Sequence, residues 1–285
     1  MGALRDRMVR EMQLRSFASS TQEVYLHAVE GLVRYHGRSP DRISCEEVHD
    51  YLLFLMNQGK LAWGTINSIR SGLNFFYRVT LKRSHAVFSI PRRKTPLPLP
   101  EVLSADELGR LFRHVGNLKH RTILMTTYAA GLRVSEVVCL KTGDIDSHRM
   151  MIRVEQGKGR KDRYTLLSAH LLHRLRRYWK FYRPALWLFE GKMQGSHLAK
   201  SCAQRAFTLA KARAGITKKG GIHMLRHSFA THMLEAGVDL RTIQSLMGHA
   251  SLRSTMLYLR ITRKALGSTS RSLDLLEGAL ENSSG

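Results

Sequence analysis

The stretch HMLRHSFATHML, residues 223–234, followed by LMGHASLRSTMLYL, residues 246–259, decides the fold of the C-terminal part of this chain. Both stretches have the apolar spacing of helices. His223 and Arg226 are three residues apart and therefore share one helical face. Tyr258 adds a phenol, which can attack a phosphodiester and remain covalently attached to it. Working outward, the chemically informative groups are, in chain order, Arg133, His223, Arg226, His249 and Tyr258.

Two arginines and a phenol indicate chemistry at a phosphodiester. A pentacoordinate phosphorane carries extra negative charge on its non-bridging oxygens, and guanidiniums bind such oxygens through paired hydrogen bonds. A free tyrosine has a pKa of roughly 10 and is mostly protonated at neutral pH. Concentrated positive charge would favour the phenolate of Tyr258, or a histidine could accept its proton.

The charge balance points to a polyanion as the partner. The formal net charge is +24 and the sequence pI is about 10.6, far beyond what solubility requires. Nucleic acid is therefore the leading candidate, and a basic protein without a nucleic-acid partner is the alternative. Hydrophobic residues make up 43% of the chain, which excludes a disordered basic tail. A length of 285 residues predicts two domains.

The cysteines and the apolar runs predict a cytoplasmic protein. Cys45, Cys139 and Cys202 are scattered, with neither a disulfide pattern nor C-x-x-C spacing. No apolar run approaches the roughly 18 residues of a membrane span. The segment from Met1 to Arg15 is charged throughout and lacks the apolar core of a secretory signal. We expect the protein in the cytoplasm with the DNA, and no membrane partner.

The N-terminal part, residues 1–90, is predicted to be helical. Ser20-x-x-Glu23 and Ser44-x-x-Glu47 each match a capping box in front of helical apolar spacing. A further helix is predicted from about Thr65 to Arg78. Its polar side is either solvated surface or a DNA-contacting face, with Asn67, Arg70 and Asn74 as the candidate contacts.

A proline-rich stretch predicts the domain boundary. Four of the six prolines lie in PRRKTPLPLPE, residues 91–101, where they prevent helix continuation. We expect a basic linker over residues 91–102 that follows a phosphate backbone. Its candidate DNA contacts are Arg92, Arg93 and Lys94.

The second domain, residues 103–266, is predicted to be mainly α-helical with a small antiparallel sheet. A capping box, Ser104-x-x-Glu107, opens it. Residues 150–155 and 163–167 favour strands, joined as a hairpin by the turn QGKGRKD. The turn carries Lys158, Arg160 and Lys161, of which the last two are candidate DNA contacts. Residues 267–285 form a tail.

The fragments AAGLRVSEVVCL, GKGRKDR, HMLRHSFATHML and LMGHASLRSTMLYL resemble, in order and spacing, the sequence boxes of the tyrosine recombinase (phage integrase) family. The resemblance covers essentially the whole chain. It implies a helical, SAM-like core-binding domain followed by an α+β catalytic domain. It also implies cutting and rejoining of DNA through a 3′-phosphotyrosine intermediate and a Holliday junction, by a homotetramer that holds two DNA sites.

The family resemblance implies a role for each site residue. Arg133 and Arg226 look like the two phosphate-binding arginines, and Glu136 resembles the acid that steadies the first. His223 resembles a proton-handling or phosphate-contacting group, and His249 a second histidine that donates to phosphate. Lys158 resembles the mobile general acid that protonates the departing 5′ oxygen, and Tyr258 the nucleophile. Taken singly, each residue has an ordinary structural alternative, and their joint occurrence at family spacing favours catalysis.

No metal and no other cofactor is predicted. His223 and His227 are four residues apart, but no carboxylate or thiolate lies at ligand spacing, and Arg226 between them would repel a cation. No phosphate-binding loop of the ATPase type is present. Of the remaining histidines in this stretch, His227 and His232 are predicted to be structural.

The subtype is open between two members of the family. Parts of the N-terminal segment and linker look similar to integron integrases, yet Lys158 and His223 are too close to hold the helix inserted there. We expect an integrase of a mobile element on a Xer-like frame, with a housekeeping resolvase of chromosome dimers as the alternative. A type IB topoisomerase, relaxing DNA with the same residues, is a further alternative. A binding protein without activity is disfavoured by the intact site residues.

Overall fold

The protein consists of two compact units, Met1–Pro96 and Leu97–Gly285. The structure is a computed structural model, and it describes residues 2–57, 61–84, 86–90, 100–155, 162–249 and 251–259. The predicted linker therefore stays a prediction, since Arg92, Arg93 and Lys94 lie outside the described residues. So do Lys158, Arg160, Lys161 and the predicted tail, residues 267–285.

The described part of the first unit is helical, as predicted. It also contains a 3₁₀ turn, Pro40–Arg42, and a π-helical turn, Phe76–Thr80. The α-helices are α1 (Gly2–Leu14), α2 (Ser19–His36), α3 (Cys45–Asn57) and α4 (Trp63–Phe75).

Helix α1 was not predicted individually, because the segment from Met1 to Arg15 shows charge throughout rather than a clear apolar period. Its sequence is polar around most of its circumference, so its apolar period is weak. Met8 and Met12, one helical turn apart, are nonetheless buried in the core of the first unit. Their flexible thioethers fill the space beside the π-helical turn and Phe76. Tertiary packing, rather than helix periodicity, therefore accounts for this element.

Two of the three predicted capping boxes are present. Ser44 and Glu47 exchange both predicted bonds, and Ser104 and Glu107 do the same in the second unit. The box predicted at Ser20 is wrong. Helix α2 already begins at Ser19, after Ala18, which has no side chain able to accept a hydrogen bond.

The second unit is helical with one small sheet, which confirms the predicted fold class. A 3₁₀ turn, Thr142–Asp144, leads into the first strand. The helices are α5 (Ala105–Arg113), α6 (Leu118–Ala129), α7 (Val134–Val138), α8 (Ala169–Tyr182), α9 (Lys200–Arg213), α10 (His223–Glu235), α11 (Leu240–Met247) and α12 (Arg253–Leu259). The strands are β1 (Ile145–Asp146), β2 (Met151–Val154) and β3 (Arg163–Leu166).

The sheet is antiparallel in the order β1-β2-β3, and β2 and β3 form the predicted hairpin. Ile152 pairs with Thr165, and Arg153 pairs with Tyr164. Ile152 and Thr165 face inward and are buried, while Tyr164 is half exposed on the other face. Because Arg163 shares the inward face with Thr165, strand alternation directs a guanidinium into the interior.

The core of the second unit is built around α6, whose buried residues contact α8, α9 and α10. A smaller cluster joins α10, α11 and α12 through Phe229, Ile243, Met247 and Tyr258. Among the described residues, no helix is both long and apolar enough to pass through a membrane.

Gly131 ends the α6 region in the left-handed conformation, with φ +60°, immediately before the site. A Cβ there would lie 2.4 Å from Cδ1 of Phe229 on α10. The glycine therefore permits both the turn and the close approach of α10 to the chain segment that carries Arg133.

We expect Gly131→Ala to lower the free energy of unfolding by at least about 1 kcal/mol more than Gly215→Ala. Gly215 has a similar φ of +66° but open space around its Cβ position, so it isolates the backbone cost. Urea unfolding of the two variants measures the difference. Equal losses would show that the contact with Phe229 relaxes without cost.

Candidate active site

Arg133 is placed by the start of α7. It is the residue immediately before the helix, and the carboxylate of Glu136 accepts from its backbone amide at 2.8 Å. The same carboxylate accepts from Nη1 of the Arg133 side chain at 2.7 Å. Nη2 donates to the carbonyl of Gly248 at 3.2 Å. The predicted pairing of Glu136 with the first arginine is confirmed. Glu136 holds one end of the guanidinium, and the carbonyl of Gly248 holds the other.

A third arginine, Arg163, also binds Glu136, and sequence reasoning missed it. Its Nη1 and Nη2 donate to the two carboxylate oxygens at 2.9 and 2.8 Å, and its Nε donates to the carbonyl of Leu246 at 3.0 Å. This planar, two-bond geometry is specific to arginine. Arg163 thus ties β3 to α7 and to the end of α11, just before His249.

Glu136 is charged despite being buried. Burial alone would raise its pKa, but hydrogen bonds and charge from Arg163 and Arg133 outweigh burial and lower the pKa to about 2. Arg226 also lies 3.7 Å from this carboxylate. Three guanidiniums and one carboxylate leave an excess of two positive charges at the site, since +3 and −1 sum to +2.

Arg226 is the most buried of the three arginines, with 5% of its side chain exposed. Its Nη1 donates to the carbonyl of Gly131 and its Nη2 to the carbonyl of Met247, both at 2.6 Å. Burial and the neighbouring charge of Arg133 lower its pKa to about 10, so it stays protonated at neutral pH. A buried cation of this kind needs an anion in addition to carbonyls to compensate its desolvation.

His249 lies half-buried directly after α11. Its Nδ1 pairs with Oγ1 of Thr255 at 2.9 Å, which leaves Nε2 as the nitrogen available to a ligand. Burial, and then the charge of Arg226 and Arg133, lower the pKa of His249 to about 4. His223, by contrast, is exposed at the first position of α10.

Tyr258 lies on α12 and only 2% of it is exposed. Its hydroxyl lies 3.0 Å from Nδ1 of His227, one residue beyond Arg226 on α10. The ring of His249 lies parallel to that of Tyr258, at 6.5 Å between centroids. Burial raises the pKa of Tyr258, and the charges of Arg226 and Arg133 oppose that rise.

The described structure brings together five of the predicted residues: Arg133, His223, Arg226, His249 and Tyr258. His227, predicted to be structural, contacts the Tyr258 hydroxyl. His232 does have a purely structural contact, with the hydroxyl of Tyr128 at 2.9 Å. Within the described ranges, no cluster of three His, Cys, Asp or Glu side chains is arranged to hold a metal ion.

The candidate DNA contacts of the first unit have separate outcomes. The side-chain amide of Asn74 is hydrogen-bonded within the domain. Its Nδ2 donates to the carbonyl of Phe88, and its Oδ1 accepts from the backbone amide of Phe88. Asn74 therefore holds the segment after α4, which does not fit its predicted DNA contact. Asn67 and Arg70 are half-buried on α4 and remain predictions.

Residues 101–264 match the model of the phage integrase family, and residues 4–86 match that of the phage integrase N-terminal SAM-like domain. The chain belongs to the phage integrase family. A Sinorhizobium fredii protein assigned as an integrase/recombinase is 45% identical over 97% of this chain and 90% of its own. The tyrosine recombinase XerA of Pyrococcus horikoshii is 35% identical over 81% of this chain and 82% of its own.

Solved structures of this family have the same fold. The crystal structure of XerA recombinase matches with a TM-score of 0.55 and 28% identity, over 95% of this chain and 97% of its own. Lambda integrase bound to a core site matches with a TM-score of 0.70 and 19% identity, over 90% of this chain and 94% of its own. The protein is therefore a tyrosine recombinase, an enzyme that transfers DNA strands, as predicted.

We expect Arg163→Ala to lower the free energy of unfolding by about 3 kcal/mol, because it removes two hydrogen bonds from a buried carboxylate. Lys141→Ala, which breaks a partly exposed ion pair with Glu155, is the matched control, and its loss is expected to be much smaller. Chemical denaturation measures both. A loss at Arg163 no larger than the control would mean that Arg133 alone satisfies Glu136.

Two half-buried histidines predict a loss of stability in mild acid. The folded-state pKa values of His227 and His249 lie near 4, below the ordinary value of 6.5, so the unfolded chain binds protons first. Their contribution is complete above pH 6.5 and is lost as the pH falls towards 4.

In that pH window, each histidine contributes a slope of up to about 1.4 kcal/mol per pH unit to the free energy of unfolding. Urea unfolding without DNA, as a function of pH, measures this slope. His227→Asn is expected to reduce it by one histidine's share, and an unchanged slope would contradict the assignment.

Proposed function

We propose that Tyr258 attacks a DNA phosphodiester and forms a 3′-phosphotyrosine intermediate, releasing a 5′ hydroxyl. The observation that carries this proposal is the excess of two positive charges left by Arg133, Arg163 and Arg226 around Glu136. A phosphodiester carries one negative charge and its phosphorane carries more, so the site stabilises the transition state more strongly than the ground state.

The predicted residues have complementary roles in this step. Arg133 and Arg226 bind the non-bridging oxygens, each held by carbonyls or a carboxylate that leave further N–H groups for phosphate. Nε2 of His249 donates to a phosphate oxygen, and His223, exposed beside Arg226, is a second contact. Lys158 supplies the proton to the leaving 5′ oxygen. The phosphotyrosine bond conserves the energy of the diester, so rejoining needs neither ATP nor a metal.

Tyr258 acts in the same subunit as the phosphate-binding residues. Its hydroxyl contacts His227, and Arg226 is the preceding residue on the same helix of the same chain. This geometry favours an active site assembled in cis. It requires no exchange of α12 between subunits.

The partner is double-stranded DNA, and the working form is a homotetramer that exchanges strands through a Holliday junction. A lambda integrase tetramer bound to a Holliday junction, with a TM-score of 0.69 and 18% identity, has this fold. The protein acts in the cytoplasm as an integrase of a mobile element. The Tn1549 transposon integrase in complex with circular intermediate DNA has this fold, at a TM-score of 0.65 and 17% identity. Relatives named integrase/recombinase support the mobile-element role, and the Xer relative keeps the housekeeping resolvase as the alternative.

The deciding experiment traps the covalent intermediate on nicked DNA carrying the element's own ends, in EDTA. Wild-type protein is expected to give a gel-stable adduct, and Tyr258→Phe, which keeps the ring in the α10–α12 cluster, is expected to give none. An adduct that persists in Tyr258→Phe would refute the nucleophile. Appearance of Holliday junctions distinguishes recombination from relaxation by a type IB topoisomerase.

A further inference from the structure

The hydroxyl of Tyr258 has a defined partner before any DNA is bound. Among the described residues, its hydrogen bond is with Nδ1 of His227, at 3.0 Å, with the two ring centroids 5.8 Å apart. His227 is half-buried on α10 and Tyr258 is buried on α12. The two helices pack directly against each other, so the pair bridges α10 and α12.

The phenol needs a group that removes its proton. Its ordinary pKa is roughly 10, and burial raises the pKa of Tyr258 further. The charges of Arg226 and Arg133 oppose that rise but leave the phenol protonated at neutral pH. Attack on phosphorus therefore requires an acceptor within hydrogen-bond reach of the hydroxyl.

We propose that His227 is the general base that takes the proton of Tyr258 as the phosphotyrosine bond forms, an inference that rests on the proposed function. Its Nδ1 is in contact with the reacting atom. Burial, and then the charges of His223 and Arg226, lower the pKa of His227 to about 4, so the ring is neutral and able to accept at neutral pH.

The proton and the bonds balance in both directions. In cleavage, the O–H bond of Tyr258 breaks as its oxygen bonds to phosphorus, and the proton passes to Nδ1 of His227. The bond from phosphorus to the 5′ oxygen breaks, and that oxygen takes a proton from Lys158. In rejoining, the 5′ hydroxyl gives its proton to the neutral amine of Lys158 as its oxygen bonds to phosphorus. The bond from phosphorus to the Tyr258 oxygen breaks, and protonated His227 returns its proton to the departing phenolate. The negative phosphate beside the ring stabilises this protonated form.

The other basic groups of the site are less well placed than His227 to take this proton. Nδ1 of His249 pairs with Thr255, and its remaining nitrogen is the one we assign to phosphate. His223 is exposed at the start of α10, one turn before His227. The guanidiniums of Arg133 and Arg226 stay protonated at neutral pH and cannot accept a proton.

The test compares His227→Asn with His232→Asn in single-turnover cleavage of nicked DNA. Asparagine places an oxygen where Nδ1 of histidine lies, so it can hold the Tyr258 hydroxyl but cannot take its proton. His232 makes the same histidine–tyrosine contact on the same helix, with Tyr128, and has no assigned role in catalysis. We expect His227→Asn to cleave roughly 10²-fold more slowly or worse, and His232→Asn to cleave like wild type.

A second substrate separates the base from the acid. When sulfur replaces the bridging 5′ oxygen, the leaving thiolate needs no proton, so Lys158→Ala should regain activity. His227→Asn should stay slow on this substrate, because its defect is at the attacking phenol. A fluorinated tyrosine at position 258, whose phenol is more acidic, should restore part of the cleavage in His227→Asn. A merely misplaced nucleophile would not respond to that change.

The outcomes are distinct. Wild-type cleavage by His227→Asn would overturn the inference and leave the proposed function intact. Rescue of His227→Asn by the sulfur substrate would also overturn it, by assigning His227 to the leaving group. Absence of an adduct from wild-type protein on either substrate would overturn the proposed function itself. Thermal melting checks folding, and His227→Gln replaces the asparagine variant if that one does not fold.

Discussion

Three guanidiniums share one buried carboxylate, and the active site depends on that arrangement. Glu136 binds Arg133 from its own helical turn, Arg163 from β3 and, at longer range, Arg226 from α10. Removing the carboxylate would leave three like charges in a partly desolvated space. Its presence lowers their repulsion while leaving the net positive charge that an incoming phosphate needs. One residue thus stabilises the fold and prepares the site electrostatically.

The same contacts join segments that are far apart in the chain. Arg226 donates to the carbonyls of Gly131 and Met247, and Arg163 donates to the carbonyl of Leu246. These bonds connect the segment before Arg133 to the end of α11. Side chains already held by carbonyls and a carboxylate need little rearrangement to bind a phosphate. Tyr258 is held in a similar way, since its ring packs among apolar side chains while its hydroxyl contacts a histidine.

The residues whose partners could not be predicted from the sequence are those whose partners are distant in the chain. Arg163 looks like an ordinary strand cation, and hydrophobicity would turn Tyr164 and Leu166 inward. The structure instead exposes both and directs Arg163 and Thr165 to the interior. His227 and His232 are equivalent by pattern, each on α10, yet one faces Tyr258 and the other Tyr128. Helix periodicity cannot distinguish them, because the difference lies in which neighbouring helix each one meets.

The sequence by itself determined the fold class, the positions of the main helices, the β2–β3 hairpin and the order of reactive residues, because helical spacing, caps and box spacing are local properties. It also predicted the pairing of Arg133 with Glu136, which are one helical turn apart. Only the tertiary structure decided that Asn74 is used inside its domain, that Met8 and Met12 bury a polar-looking helix, and that Arg163 and His227 belong to the site. Those outcomes depend on contacts across the fold, where the burial of charge and the reach of hydrogen bonds select partners that no local pattern encodes.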